Sequence, residues 1–303
     1  MVSLQLQALY PHAQHGVVNV RAGDQQSIEI PFVTEGRGPP LLLLHGHPQT
    51  RVIWHKVWPQ LTQKFTVVAS DIRGYGDAGK PDGGERQVAY CKREMAKDQV
   101  SLMEQLGFAK FRLVGHDRGA RVSHRLAADH PEVVEKLSVL DICPTVAMYD
   151  KTDMAFARAY WHWFFLIQAA PFPETLINAD PVYYLGRLMN IRSDGVNPFA
   201  KEAMQEYLRC AQNPECVRAM CEDYRAAADI DLEHDRADRA AGCKLAMPVQ
   251  ALWGARGVVG AQFEPLLEWR KVADNVVGEA LPCGHYVPEE APEALVRALV
   301  GFL

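Results

Sequence analysis

The 303-residue chain is 48% hydrophobic and 23% charged, which is the composition of a globular protein rather than of a disordered one. Its formal net charge of -5 at pH 7 argues against a general polyanion binder, because such binding needs a basic face. The N-terminal region shows no basic segment followed by an apolar run, and no stretch of about 18 apolar residues suggests a membrane span. The seven cysteines are odd in number and include no C-x-x-C pair, so a reduced, cytoplasmic protein is expected.

Short apolar runs alternate with helical patterns along most of the chain. The predicted helices lie at about 52–64, 88–106, 118–130, 261–273 and 290–302. The predicted strands lie at 28–33, 41–45, 65–71, 111–117, 137–141, 249–254 and 275–281. Apolar strands this short, alternating with helices, are typical of a mostly parallel sheet that is buried on both faces. The predicted fold class is therefore α/β.

The alternation stops between about residues 146 and 245. This stretch contains several helical patterns but almost no strand-like run. It is too long for a simple loop, so we expect an inserted helical unit that packs on the sheet. The predicted organisation is a core domain of residues 1–145 and 246–303 with a helical lid at 146–245.

The segment Gly-His-Asp-Arg-Gly at 115–119 follows an apolar strand and precedes a helix. A Gly-x-nucleophile-x-Gly segment in that context is a nucleophile elbow, in which small residues let the turn tighten and present the central side chain. The central residue is Asp117. An aspartate, with a reference pKa of about 3.9, is ionised at neutral pH and needs no base to become nucleophilic. Its carboxylate can attack a carbon that carries a leaving group, which forms an aspartyl ester.

Hydrolysis of such an ester requires a histidine base and an acid that orients it. His285 lies between the last predicted strand and the last predicted helix, where we expect the base. Asp141 ends the strand at 137–141, at the edge of the sheet where catalytic groups gather, and is the expected orienting acid. A turn-forming or helix-capping role is the alternative for Asp141. The backbone N–H groups of His47 and Arg118 are expected to form the oxyanion hole.

Two arginines, Arg118 and Arg121, lie three residues apart at the start of the helix that follows Asp117. Cations at a helix N-terminus oppose its dipole, so a negative partner is expected to compensate. Their guanidinium groups match a planar carboxylate and could hold a small carboxylic acid with its Cα facing Asp117. A solvated surface pair, or a salt bridge to acids of the lid, is the alternative.

Five motifs together resemble a known family over nearly the full chain. They are HGHPQT at 45–50, DIRGYGDAGKP at 71–81, GHDRGAR at 115–121, LD at 140–141 and CGHY at 283–286. With these motifs the sequence is similar to the α/β-hydrolase fold superfamily and, within it, to the fluoroacetate dehalogenases. The resemblance implies hydrolytic dehalogenation of short 2-haloacids such as fluoroacetate, without a cofactor or metal, by a homodimer.

The resemblance also assigns roles to individual residues. In the fluoroacetate dehalogenases, arginines at the positions of Arg118 and Arg121 bind the substrate carboxylate. A His-Trp-Tyr trio from the lid binds the departing halide, and its local order matches His162, Trp163 and Tyr224 here. Haloalkane dehalogenases typically place a tryptophan after the nucleophile, so Arg118 favours a charged substrate. His47 departs from the family, which commonly has an aromatic residue such as phenylalanine there.

Two other functions remain open at this point. An epoxide hydrolase would use the same Asp-His-Asp machinery and would need lid tyrosines to protonate an alkoxide. The lid offers Tyr160, Tyr183, Tyr184, Tyr207 and Tyr224. A non-catalytic protein that captures a small acid is the third possibility, although binding alone does not require a base after the last strand.

Overall fold

The computed structural model describes residues 4–22, 26–192 and 197–303. Within these ranges eight strands form one sheet, in the order β1-β2-β4-β3-β5-β6-β7-β8. The pairs β1–β2 and β2–β4 are antiparallel, and every other neighbouring pair is parallel. The strands are β1 Gln14–Ala22, β2 Gln26–Glu35, β3 Pro40–Leu44, β4 Thr66–Ser70, β5 Phe111–His116, β6 Val134–Leu140, β7 Val249–Gly254 and β8 Val276–Leu281.

The α/β prediction is confirmed, and all seven predicted strands are present as β2 to β8. Strand β1 was missed because its apolar signal is short. Val18 and Val20 are buried, whereas Val17, Asn19 and Arg21 are exposed. This alternation belongs to a half-buried strand paired antiparallel at the edge of the sheet, and it spans too few apolar residues to stand out from the sequence alone.

Helices flank the sheet on both faces. In the described ranges they are α1 Leu4–Leu9, α2 Trp58–Leu61, α3 Lys92–Gln105, α4 Arg118–Asp129, α5 Thr145–Asp150, α6 Met154–Ala159, α7 Trp161–Leu166, α8 Phe172–Ala179, α9 Pro181–Arg192, α10 Lys201–Ala211, α11 Pro214–Ala228, α12 Ile230–Ala240, α13 Val258–Gln262, α14 Pro265–Arg270, α15 Val287–Glu290 and α16 Pro292–Phe302. Short 3-10 helices cover Arg51–Lys56 and Glu85–Tyr90. None of these helices is long and apolar enough to cross a membrane.

Several of the predicted helices are divided in the structure. The single helix expected at 261–273 is wrong, because Phe263 and Glu264 separate α13 from α14. The helix expected at 52–64 is a 3-10 helix followed by the short α2, and the last predicted helix starts at Pro292 after the separate α15. A proline stands in the first turn of α2, α14, α15 and α16, where its fixed φ and missing N–H favour a new helix start.

The central strands of the sheet are buried on both faces, as the apolar runs predicted. In β3, Leu42 and Leu44 contact one core cluster and Leu41 and Leu43 contact the other, and all four are fully buried. The order β3-β5-β6-β7 places the carboxyl ends of four parallel strands side by side. Side chains that follow these strands are therefore brought to one edge of the sheet.

Helices α5 to α12 lie between β6 and β7, and we call them the helical insert. No strand occurs in the insert within the described residues. The predicted lid at 146–245 and core at 1–145 and 246–303 include residues 1–3, 23–25 and 193–196, which lie outside the described ranges. The domain division itself stays a prediction.

Candidate active site

The turn between β5 and α4 presents Asp117. This residue has φ 48° and ψ -117°, a region that costs a non-glycine residue on the order of 1–3 kcal/mol. A Cβ at Gly119 would lie 2.2 Å from the carbonyl oxygen of His45, and one at Gly115 would lie 2.5 Å from Cα of Ala120. Both positions therefore require glycine for β5, α4 and the end of β3 to approach this closely. The Gly-x-Asp-x-Gly spacing builds a strained turn that holds the carboxylate at the sheet edge.

The three predicted catalytic side chains lie together. Nδ1 of His285 is 2.5 Å from Oδ2 of Asp141, and Nε2 of His285 is 3.5 Å from Oδ2 of Asp117. The other oxygen of Asp141 accepts the N–H of Gly254 at 2.9 Å, which fixes the carboxylate from the end of β7. With Nδ1–H donated to Asp141, the basic Nε2 of His285 faces Asp117.

His116, the residue before the nucleophile, was not assigned a role from the sequence. Its Nε2 donates to the backbone carbonyl of His285 at 2.8 Å. Burial, with the adjacent charge of His285, lowers the pKa of His116 to about 3. A neutral imidazole can keep Nε2–H as a donor, so His116 ties the loop of His285 to the elbow.

The two oxygens of Asp117 have different surroundings. Oδ1 accepts the backbone N–H of His47 at 2.8 Å, whereas Oδ2 faces His285. An ester formed through Oδ2 would leave Oδ1 as the carbonyl oxygen on this N–H. The amide of Arg118, the second predicted donor, belongs to the next residue of the same turn.

Arg118 is buried and forms an ion pair with Asp223 of the insert. Its Nε lies 2.8 Å from Oδ2 of Asp223, and its Nη2 lies 2.7 Å from Oδ1. The salt bridge to a lid acid, which the spacing had left open, is therefore present for Arg118. The third nitrogen, Nη1, is buried and has no hydrogen-bond partner among the described residues.

Arg121 has a different environment, although it is buried as well. Its Nη1 donates to Oγ1 of Thr145 at 2.9 Å, and its Nη2 contacts Sδ of Met148 at 3.2 Å. Over residues 4–22, 26–192 and 197–303, no carboxylate forms an ion pair with it. Burial, followed by the charge of Arg118, lowers the pKa of Arg121. Arg121 is thus a buried cation whose hydrogen-bond partners are all neutral, and the charge of Asp117 only partly offsets its burial. A second anion would therefore stabilise it.

The predicted halide trio lies above the elbow. His162 and Trp163 come from α7 and Tyr224 from α11, and all three are fully buried. The ring centre of His47 lies 6.1 Å from that of His162 and 5.2 Å from that of Tyr224, and the Trp163 and Tyr224 rings are 6.4 Å apart. Cζ of Arg118 lies 4.2 Å from the centre of the Tyr224 ring. The trio and Arg118 are therefore in one cluster with the turn that contacts Asp117.

Four buried polar groups of this cluster have no hydrogen-bond partner among the described residues: Nη1 of Arg118, Nε of Arg121, Nε1 of Trp163 and the hydroxyl of Tyr149. Cζ of Arg121 lies 4.7 Å from the centre of the Trp163 ring, and the centres of the Tyr149 and Trp163 rings are 5.0 Å apart. Unmet donors inside a protein each cost about 1–3 kcal/mol. A small anion would satisfy them. Tyr149 belongs to no motif and could not be selected from the sequence.

Another buried acid, Glu289, lies four residues after His285. Nε2 of Gln49, in the turn that carries His47, is 2.5 Å from Oε2 of Glu289, and the hydroxyl of Tyr207 is 3.3 Å from Oε1. Burial raises the pKa of Glu289 to about 8, and the charge of Lys56 only partly opposes this. Tyr207 contacts Glu289 here and belongs to a different core cluster from Trp163 and Tyr224.

The raised pKa of Glu289 predicts a pH dependence of stability. The folded chain keeps a proton that the unfolded chain releases above about pH 4.5, so stability conferred by this group is lost as the pH rises towards 8. The free energy of unfolding of the wild type should fall relative to Glu289→Gln by up to about 1.4 kcal/mol per pH unit. Urea unfolding at several pH values between 5 and 8 measures it. The exposed Glu279→Gln should follow the wild type, and parallel wild-type and Glu289→Gln profiles would refute the assignment.

Comparisons with known proteins extend this geometry. The profile of the alpha/beta hydrolase fold family matches residues 39–185. A fluoroacetate dehalogenase from Burkholderia sp. is 42% identical over 284 residues, which cover 93% of each chain. The chain belongs to the α/β-hydrolase family. The prediction of a hydrolase related to the fluoroacetate dehalogenases is confirmed.

Other relatives match this α/β hydrolase over a similar share of its length. A soluble epoxide hydrolase from Corynebacterium sp. (strain C12) is 36% identical over 275 residues, covering 89% of this chain and 92% of the relative. The crystal structure of a protein from Nostoc sp. PCC 7120, assigned to the α/β hydrolases, matches with a TM-score of 0.92 at 49% identity, over 97% of this chain and 98% of that one. A relative named as a dehalogenase and a relative named as an epoxide hydrolase therefore both match this chain over nearly its whole length.

Proposed function

We propose that this α/β hydrolase hydrolyses short 2-haloacids to 2-hydroxyacids and halide, with fluoroacetate as the first candidate substrate. The observation that carries the proposal is Arg121, a buried cation one helical turn after Asp117 whose hydrogen-bond partners among the described residues are all neutral. A carboxylate on the substrate would supply the missing charge. The identity to the Burkholderia fluoroacetate dehalogenase supports the same activity.

In the first step, the substrate carboxylate binds Arg121 and Nη1 of Arg118, and its Cα faces Oδ2 of Asp117. The bond from Oδ2 to Cα forms as the carbon–halogen bond breaks, with inversion, and the halide leaves with the electron pair. A fluoride needs hydrogen-bond donors as it departs. Nε1 of Trp163 has no other hydrogen-bond partner among the described residues, and His162 and Tyr224 lie beside it.

In the second step, Nε2 of His285 takes a proton from water, whose oxygen attacks Cγ of Asp117. Negative charge develops on Oδ1, which the N–H groups of His47 and Arg118 stabilise. Asp141 stabilises the protonated His285. Collapse of the intermediate breaks the bond between Cγ and Oδ2, and the alkoxide takes the proton back from His285. These steps require no metal or cofactor.

We further propose that the region 146–245 is a lid on a core of 1–145 and 246–303, because the insert supplies the halide trio. Exposed apolar side chains on α8 and α9, among them Phe172, Leu176 and Tyr183, support a homodimer. Sedimentation equilibrium should then give twice the 33.9 kDa mass of the chain, and a monomer mass would contradict it. A cytoplasmic location stays a prediction.

An epoxide hydrolase is the second candidate, since the Corynebacterium relative carries that name. It would use the same nucleophile and base. The ring of Tyr149 contacts that of Trp163, a member of the halide trio, and its hydroxyl could protonate an alkoxide. An uncharged epoxide would leave Arg121 without an ion-pair partner, however. This favours an acid as substrate.

Incubation with fluoroacetate, chloroacetate and styrene oxide separates the candidates. We expect free halide and glycolate from the two acids. Diol from styrene oxide with no halide release would instead establish an epoxide hydrolase. Binding of the acids without any turnover would establish a non-catalytic small-acid binder, the third possibility.

A further inference from the structure

Asp223 of α11 is the central residue of a buried network of ion pairs and hydrogen bonds that connects the insert to the elbow. Its carboxylate accepts hydrogen bonds from Nε and Nη2 of Arg118, from the hydroxyl of Tyr75 at 2.7 Å and from Nζ of Lys92. Nη2 of Arg118 also donates to the backbone carbonyl of Asp223 at 2.9 Å. The guanidinium is thus held at two of its three nitrogens by one residue of the insert.

The network balances its charges without a ligand. Lys92 also lies 3.3 Å from Oδ2 of Asp231, so two cations face two acids. Burial alone would raise the pKa of Asp223, but Arg118 and Lys92 outweigh burial and hold its pKa well below the usual value. Asp223 therefore stays charged, and a charged carboxylate makes strong, directional bonds to a guanidinium.

The two arginines of the elbow helix consequently have different tasks. Arg121 forms no ion pair within the described residues, and its hydrogen-bond partners are neutral atoms of α5 and its preceding loop. Arg118 brings a compensated charge whose orientation is set by Asp223, so that only Nη1 remains without a hydrogen-bond partner in the described chain. Arg121 would therefore supply most of the attraction for an anion. Arg118 would set the angle at which the anion is held.

We propose that Asp223 is a positioning residue, which fixes Arg118 so that Nη1 and Arg121 together meet the two oxygens of the substrate carboxylate. This inference rests on the proposed function. Without the charge of Asp223, the guanidinium loses its two-point attachment and Lys92 loses a counter-ion. Carboxylate binding then weakens even though both arginines are still present.

The test compares Asp223→Asn with Asp231→Asn, a matched removal of a buried insert acid that contacts Lys92 but not Arg118. KM and kcat are measured with chloroacetate, and binding of acetate, which carries no halogen, is measured by calorimetry. We expect Asp223→Asn to raise KM and the acetate Kd by at least about 10-fold, equivalent to about 1.4 kcal/mol, with a smaller change in kcat. Asp231→Asn should change KM and the acetate Kd by less than about 3-fold. Both variants are expected to lose thermal stability.

Equal effects of the two substitutions on acetate binding would reduce Asp223 to a structural residue and overturn the inference. If Asp223→Asn does not fold, combining it with Lys92→Met removes one charge of each sign, and the same rise in KM and Kd is expected. Wild-type affinity for acetate in that double variant would also overturn it. A wild type that binds acetate but releases no halide would defeat the proposed function, while the acetate comparison would still decide the role of Asp223.

Discussion

With chloroacetate, His285→Asn is expected to release about one halide per active site rapidly and then to turn over only slowly. Displacement of halide needs only the carboxylate of Asp117, whereas hydrolysis of the ester needs the base at Nε2. General-base catalysis is typically worth about 10² to 10⁴-fold, so steady-state turnover should fall by that factor. The mass of the intact protein should rise by one carboxymethyl group, located on Asp117 by peptide mapping.

The control for this experiment is His12→Asn, which changes an exposed histidine remote from the elbow in the chain. It should keep wild-type turnover and show no added mass. A His285→Asn enzyme that turns over normally would refute the role of His285. One that releases no first halide would place His285 in the displacement step instead.

Arg121→Met is expected to lower activity and raise stability at the same time. Loss of a charge-assisted contact to the substrate carboxylate should lower kcat/KM for chloroacetate by about 10²-fold, equivalent to about 3 kcal/mol. The preference for chloroacetate over uncharged chloroacetamide should fall with it. Removal of a buried cation whose hydrogen-bond partners are all neutral should raise the thermal midpoint of the ligand-free protein.

Arg125→Met is the matched control, one turn further along α4. Arg125 is also buried, but it forms ion pairs with Asp129, Asp235 and Asp238. Its replacement should lower the thermal midpoint and leave the preference for chloroacetate over chloroacetamide unchanged. The account of Arg121 would be wrong if both substitutions lowered stability and neither changed the preference.

The sequence was sufficient for the features that depend on short-range patterns. The strands β2 to β8 are short apolar runs, and a parallel sheet brings the residues after β5 and β6 to one edge. Asp117 and Asp141 could therefore be placed near each other before any coordinates. His285 followed from its position after the last strand, although its 2.5 Å contact with Asp141 did not.

Features that depend on how the insert packs could not be predicted in the same way. Asp223 lies about a hundred residues after Arg118, and nothing in its local sequence marks it as an ion-pair partner. Tyr149 and Glu289 also belong to no motif that indicates burial. Strand β1 and the division between α13 and α14 were missed because alternation in a half-buried edge strand and a break before one proline are weak signals.

The central claim is that an oxygen of Asp117 forms a bond to the substrate carbon, and a single turnover in heavy-oxygen water tests it most directly. With enzyme in excess over fluoroacetate, the glycolate of the first cycle should carry an unlabelled hydroxyl, because that oxygen comes from Asp117. The heavy oxygen should appear in the enzyme, in the peptide that contains Asp117. A first product with a labelled hydroxyl and an unlabelled enzyme would show direct attack by water and contradict this account.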